Sequence, residues 1–135
     1  MDCIFCAIEA GLAPSHRVYE DADAVAFMDI NPAVPGHVLV IPRRHTPDLF
    51  GLEEQELAGY FTAVHRVARK AHAALAADGL NLFQSSGTAA WQTVFHLHVH
   101  VLPRRHGDTI KFPPHIDPGD PAELARLASA IRAVE

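Results

Sequence analysis

Val94-Phe95-His96-Leu97-His98-Val99-His100-Val101-Leu102 is the stretch from which the rest of the chain can be read. From His96 onward, imidazole and aliphatic side chains alternate without a break. A strand sends alternate residues to opposite faces. The pattern therefore predicts a strand over 94–102 with three imidazoles on one side and Leu97, Val99 and Val101 packed on the other. At about 3.3 Å of rise per residue, neighbouring imidazoles start roughly 6–7 Å apart. Three weak bases crowded on one face resist joint protonation near neutral pH. At least one should be neutral, and so available as nucleophile, acid–base group or metal ligand.

Outward from that strand the other elements follow. Leu80 to Gln84 reads as the strand before it, and His37 to Ile41, between Pro35-Gly36 and Pro42, as a third. Arg17 to Glu20 and Ala24 to Ile30 are two more, with Asp21-Ala22-Asp23 as their turn. A helix is expected over Glu53 to Ala77, its stripe Leu57, Phe61, Val64, Ala68, Ala71 and Leu75 at three- and four-residue spacing. Cys3 to Ala10 makes a short first helix and Ala122 to Val134 a last one. Short turns between strands imply an antiparallel sheet of about five strands under one long helix, which is α+β and not doubly wound. Neither a dinucleotide-binding glycine fingerprint nor a phosphate-binding P-loop occurs.

Composition narrows the functional classes. A chain of 135 residues is expected to form one domain over 1–135. With 49% hydrophobic and 20% charged residues it can build a core. A net charge of −5 argues against nucleic acid as a partner. No apolar run approaches the ~18 residues of a membrane span, so no membrane partner is expected. The start Met1-Asp2-Cys3 lacks a secretory pattern, and Cys3 and Cys6 are too few and too close for a disulfide framework. The expected location is the cytoplasm. Ten histidines in an acidic chain are the unusual count. On the residues alone two chemistries stay open: an HxH pair clamping zinc, or one imidazole attacking phosphorus to give a covalent intermediate.

The His96-Leu97-His98-Val99-His100-Val101-Leu102 run resembles the defining motif of the histidine triad (HIT) family. Asp2 to Cys6, Ala26 to Pro32, Pro35 to His45 and Gln92-Thr93-Val94 resemble bacterial members in order and spacing, so the likeness spans 2–106 and leaves 107–135 as a C-terminal helical extension. The resemblance implies a HIT-like fold and a nucleotidyl hydrolase or transferase. Its substrates would be nucleoside phosphoramidates or dinucleoside polyphosphates, bound as an AMP-type purine nucleotide, and it would act as a homodimer without an organic cofactor. By that analogy His98 is the nucleophile, His37 and His100 serve the phosphoryl oxygens or leaving group, and Thr93 and Gln92 face the leaving group. Asp29 would accept from the ribose hydroxyls. Ile4, Phe5, Ile8, Phe27 and Ile30 would form the base slot.

Cys3 and Cys6 alone are half a zinc site. The resemblance to zinc-binding bacterial members completes it with His45 and His96, implying a structural Zn2+ on Cys3, Cys6, His45 and His96. Two residues depart from the family pattern: Ser85, at a nucleotide-contacting position where an amide is common, and Trp91, where glycine is usual. Trp91 could stack on a second base or leaving group, narrow the pocket mouth, or meet a dimer partner. Val38 to His45 is echoed by Val99 to His106, and Arg104 or Arg105 is expected to meet the distal phosphates of a polyphosphate. His16, His65, His72, His106 and His115 carry no readable role. Two other readings compete: a metal-dependent hydrolase with zinc on the triad, and a nucleotide-binding module silenced by Ser85 and Trp91.

Overall fold

The computed structural model describes residues 2–110 and 117–135; His115 and the rest of 111–116 lie outside the described residues. Five strands, β1 (Arg17–Glu20), β2 (Ala24–Met28), β3 (Val38–Pro42), β4 (Gly79–Gln84) and β5 (Val99–Arg104), form one antiparallel sheet in the order β1-β2-β3-β5-β4. Three α-helices accompany them: α1 (Ile4–Glu9), α2 (Glu54–Ala74) and α3 (Pro121–Arg132). The architecture is α+β, as the pattern predicts. No helix among the described residues is long and apolar enough to cross a membrane.

The central strands are apolar on both faces because both faces are covered. Ala24, Ala26, Val38 and Val40 pack with Val99 and Val101 against Tyr60, Ala63, Val64 and Val67 of α2. The alternate residues Val25, Phe27, Leu39 and Ile41 pack against Phe5 and Ile8 of α1. At the β1–β2 turn, Asp21 Oδ1 accepts from the Asp23 and Ala24 amides at 2.7 and 2.9 Å. The Glu56 carboxylate reaches back to the Glu53 N–H at 3.0 Å and starts α2.

Several boundaries differ from the sequence expectation by a residue or two, and three differences are larger or change a face. The buried stripe of α2 is Tyr60, Ala63, Val64 and Val67, while Leu57 and Phe61 are 39% and 42% exposed. Both stripes satisfy helical spacing; Tyr60 wins the core because its hydroxyl donates to the Val40 carbonyl at 2.7 Å and so is buried without an unpaired polar atom. The helix ends at Ala74, before Ala76 takes a left-handed φ of 47°. Finally, β5 begins at Val99 and not at Val94. The Leu97 N–H bonds to the Thr46 carbonyl at 2.7 Å, and residues 94–98 form a bent approach to β5 on which His96 and His98 take different partners.

α3 stands apart. Asp120 caps it and Pro121 opens it, yet it buries none of its residues, and Leu124, Leu127 and Ile131 are exposed.

Candidate active site and metal centre

The Cys3-Ile4-Phe5-Cys6 turn opens α1, with the Cys3 sulfur accepting from the Cys6 N–H at 3.3 Å. That turn places both sulfurs on one side, facing His45 from the end of β3 and His96 from the approach to β5. Cys3 Sγ and Cys6 Sγ each lie 3.4 Å from His96 Nδ1, Cys6 Sγ lies 3.2 Å from His45 Nδ1, and the two imidazole nitrogens are 3.2 Å apart. His96 is fully buried, and its Nε2–H donates to the Pro42 carbonyl at 3.1 Å, which leaves the Nδ1 lone pair pointing into the cluster. Tetrahedral zinc, with nitrogen at about 2.0 Å and sulfur at about 2.3 Å, holds its ligand atoms roughly 3.3–3.8 Å apart. The four donors stand close to those separations, and the soft sulfur–nitrogen set suits zinc. Burial and the adjacent Cys3 sulfur push the Cys6 thiol up to about 11, so thiolate formation there calls for a cation.

The other two triad histidines form a second group whose tautomers can be read from the backbone. His98 is 6% exposed, and its Nδ1 faces the His96 carbonyl at 2.8 Å. A carbonyl only accepts, so His98 Nδ1 carries the proton and Nε2 keeps the lone pair. His37 is the reverse case. The Ala33 N–H donates to His37 Nδ1 at 3.0 Å, so the proton of neutral His37 is on Nε2, 2.8 Å from His100 Nδ1 and 3.4 Å from Asp29 Oδ2. His100 therefore accepts at Nδ1 and carries its own proton on Nε2. Burial holds all three below the ordinary imidazole range, with His100 lowered to about 4 by burial and by the neighbouring His98 and His37. The His98 and His100 rings are 4.9 Å apart and the Phe5 edge meets His98 at 5.1 Å.

Donor atoms of Asp29, His37 and His100 also gather within 4.8 Å. That group is a hydrogen-bonded relay: with Nδ1 engaged by Ala33, neutral His37 has no lone pair to give a cation. The geometry disfavours zinc on the triad and separates His96, turned toward the cysteines, from His98.

A cavity of about 520 Å3 is lined by Ile4, Phe5, Ile8, Phe27, Asp29 and Ile30, with Thr93, His98 and His100 also in its wall. It unites most of the residues expected for nucleotide contact. Leu39, Pro14 and Ser15 also line it; sequence reading missed them, although Leu39 is in phase with Phe27 on the opposite strand. Asp29 Oδ1 is held by the Asn31 N–H at 2.8 Å, which leaves Oδ2 toward His37.

Three groups of expected residues lie away from the wall of this cavity. Gln92 is buried outside the cavity lining. Its amide oxygen accepts from the Gly87 N–H at 2.7 Å and its nitrogen donates to the Pro47 and Val94 carbonyls at 2.6 and 3.1 Å, so it braces the loop carrying Thr93. Ser85 is buried and likewise outside the lining. Arg104 is held by Asp108 at 2.6 Å and Asn81 at 2.8 Å, and Arg105 donates to the Leu75 and Ala76 carbonyls at the end of α2. The echoed corner has the same task at both places, since Arg43 binds Glu9 and the Asp21 carbonyl and Arg44 binds Glu56. These arginines tie elements together, and Arg104 also lines a second cavity with His37, Phe83 and His100.

Residues 10–107 match the family model described as the HIT domain. A HIT-like protein of Mycobacterium tuberculosis is 48% identical over 110 residues, 82% of this chain and 76% of that protein. An Arabidopsis thaliana adenylylsulfatase is 35% identical over 109 residues, 81% of this chain and 55% of that protein. Among solved structures, a Streptococcus mutans protein superposes with a TM-score of 0.92 at 40% identity, covering 97% of this chain and 83% of that one. A zinc-bound histidine triad protein from Mycobacterium smegmatis has a TM-score of 0.77 at 45% identity, covering 96% and 98%. By sequence match, by shape and by the motif at its centre, this chain belongs to the HIT-domain family.

Proposed function

We propose that this chain is a nucleotidyl hydrolase or transferase that releases a nucleoside monophosphate from nucleoside phosphoramidates or dinucleoside polyphosphates through a covalent intermediate on His98. The observation that carries the reading is the His98 tautomer: a main-chain carbonyl 2.8 Å from Nδ1 leaves the Nε2 lone pair available, and His98 lines the cavity. Membership of a family that includes an adenylylsulfatase supports hydrolysis as the reaction class.

In this reading the base lies among Ile4, Phe5, Ile8, Phe27 and Ile30, and Asp29 accepts from the ribose. Nε2 of His98 bonds to the α-phosphorus as the bond to the leaving nitrogen or oxygen breaks. The positive charge gained by the imidazole is met by the His96 carbonyl. The leaving group takes the bonding pair and a proton from solvent, with Thr93 facing it. The Nε2–H of neutral His100 donates a hydrogen bond to the phosphoryl or leaving-group atom. Water then attacks the phosphorus, the phosphorus–nitrogen bond breaks with its pair returning to His98 Nε2, and the proton of the water passes back to solvent. The His37–Asp29 pair steadies His100 throughout. Zinc held by Cys3, Cys6, His45 and His96 would supply a structural cross-link between α1 and the triad segment, and no step of the transfer is routed through it. The protein works as a homodimer in the reducing cytoplasm.

The test is release of AMP from adenosine phosphoramidate and diadenosine tetraphosphate by wild type and His98→Asn, each with and without chelator. Turnover abolished by His98→Asn and spared by chelation is the expected result. Folded protein that binds AMP but cleaves neither substrate would leave a nucleotide-binding module instead.

A further inference from the structure

Trp91 is the sole tryptophan and is 72% exposed. Its backbone is left-handed, at φ 72° and ψ 23°. Among the described non-glycine residues only Ala76 shares a positive φ. A large side chain there strains the backbone, and strain of this kind persists where the surroundings enforce it, often at ligand sites. Here they do enforce it. Trp91 N–H bonds to the Thr88 carbonyl at 3.0 Å, Gln92 N–H to the Gly87 carbonyl at 3.1 Å, and the buried Gln92 amide holds the Gly87 N–H at 2.7 Å. The indole is thus presented on a braced turn, two residues before Thr93.

Its neighbours lead back to the reacting group. The indole is nearly parallel to the Phe83 ring, 14° apart in plane and 6.3 Å between centres, and Phe83 meets His100 edge-on at 5.7 Å. His100 walls both the nucleoside slot, with its Phe5 and Phe27, and the second cavity, of about 290 Å3, that includes Phe83. In a displacement at phosphorus the leaving group departs opposite the attacking His98 nitrogen, and the function proposed above sets Thr93, two residues after Trp91, beside that group.

We propose that Trp91, with Phe83 behind it, is a subsite that stacks a planar π-system on the leaving group. Such a group is either the distal nucleobase of a dinucleoside polyphosphate or the ring of an aromatic amine in a phosphoramidate. The catalytic arm of the test rests on the function proposed above; the binding arm does not.

Trp91→Gly is the informative variant, because glycine adopts φ 72° without strain and the braced turn survives. Against an aromatic-amine phosphoramidate and diadenosine tetraphosphate, its kcat/KM should fall about five- to tenfold, the usual range for one lost stacking partner. Unsubstituted adenosine phosphoramidate should be affected less than about twofold. A selective loss on the dinucleotide alone identifies the nucleobase, and on the amine alone the aromatic amine; either supports the subsite. Equal loss on all substrates, or loss accompanied by a changed oligomeric state in sedimentation, overturns it in favour of a structural or interface role. The indole also reports directly. A methylene-bridged, uncleavable diadenosine polyphosphate should quench wild-type emission while AMP leaves it unchanged. Equal quenching by both, or by neither, overturns the subsite even in a protein that cleaves nothing.

Discussion

Stripping zinc from Cys3, Cys6, His45 and His96 should lower the melting temperature by about 14 °C while sparing room-temperature turnover. An ion that binds only the folded chain, at a free concentration about a thousandfold above its dissociation constant, stabilises it by about 4 kcal/mol. For 135 residues, at about 2.1 cal/mol/K each, the unfolding entropy is about 0.28 kcal/mol/K, and the quotient gives the shift. The loss should concentrate at α1, whose six residues are too few to hold a helix unaided. That helix is kept in place by the two cysteines and by Phe5 and Ile8 against Val25, Phe27, Leu39 and Ile41. Turnover should survive below the melt because the His98 nitrogen is set by a carbonyl and not by the ion. The assay is calorimetry on zinc-replete protein, chelated protein and Cys6→Ser, with metal analysis and AMP release on the same samples. Two results refute the reasoning: one melting temperature for all three samples with no zinc bound, or turnover lost on chelation while the fold stays intact.

Stability should also fall with acid. Burial holds His37 and His100 below the ordinary imidazole range, His100 at about 4, whereas the unfolded chain protonates them near 6.5. Between those values the unfolded state binds protons that the folded state refuses, so urea midpoints should decline as pH drops from about 7 toward 4; a flat or rising series contradicts this. Tyr60→Phe should cost about 1 kcal/mol in urea unfolding, since it removes a hydroxyl that is 2.7 Å from the Val40 carbonyl inside the core. No measurable loss would mean that this bond contributes nothing net.

The sheet, its helices and both histidine groupings were legible because period-two and period-3.6 patterns are local, and because the motif fixes which histidines matter. What escaped was decided by partners distant in sequence. Leu57 and Phe61 fit the α2 stripe as well as Tyr60 and Val67 do, and only the Val40 carbonyl breaks the tie. The alternation at His96 and His98 looks like continuous strand, but the Thr46 carbonyl takes the Leu97 amide and the strand begins only at Val99. Gln92 sits beside Thr93 in the chain, yet Pro47 and Gly87 claim its amide. Arg104 and Arg105 are cationic and next to the motif, and nothing in their own neighbourhood announces that Asn81 and Leu75 would occupy them.

The protonation pattern of His96, His98 and His37 has a common source. His96 is oriented by the carbonyl of Pro42, His98 by the carbonyl of His96 and His37 by the amide of Ala33. All three partners are main-chain atoms, and a point mutation replaces side chains only. Residues 33, 42 and 96 can drift while the oxygen or N–H they contribute stays in place, provided the backbone path is kept and residue 33 does not become proline. His96→Ala would lose a metal ligand and still present the carbonyl that His98 needs. The arrangement of protons is therefore inherited with the fold, and a comparison of side chains across relatives would pass over the atoms that set it.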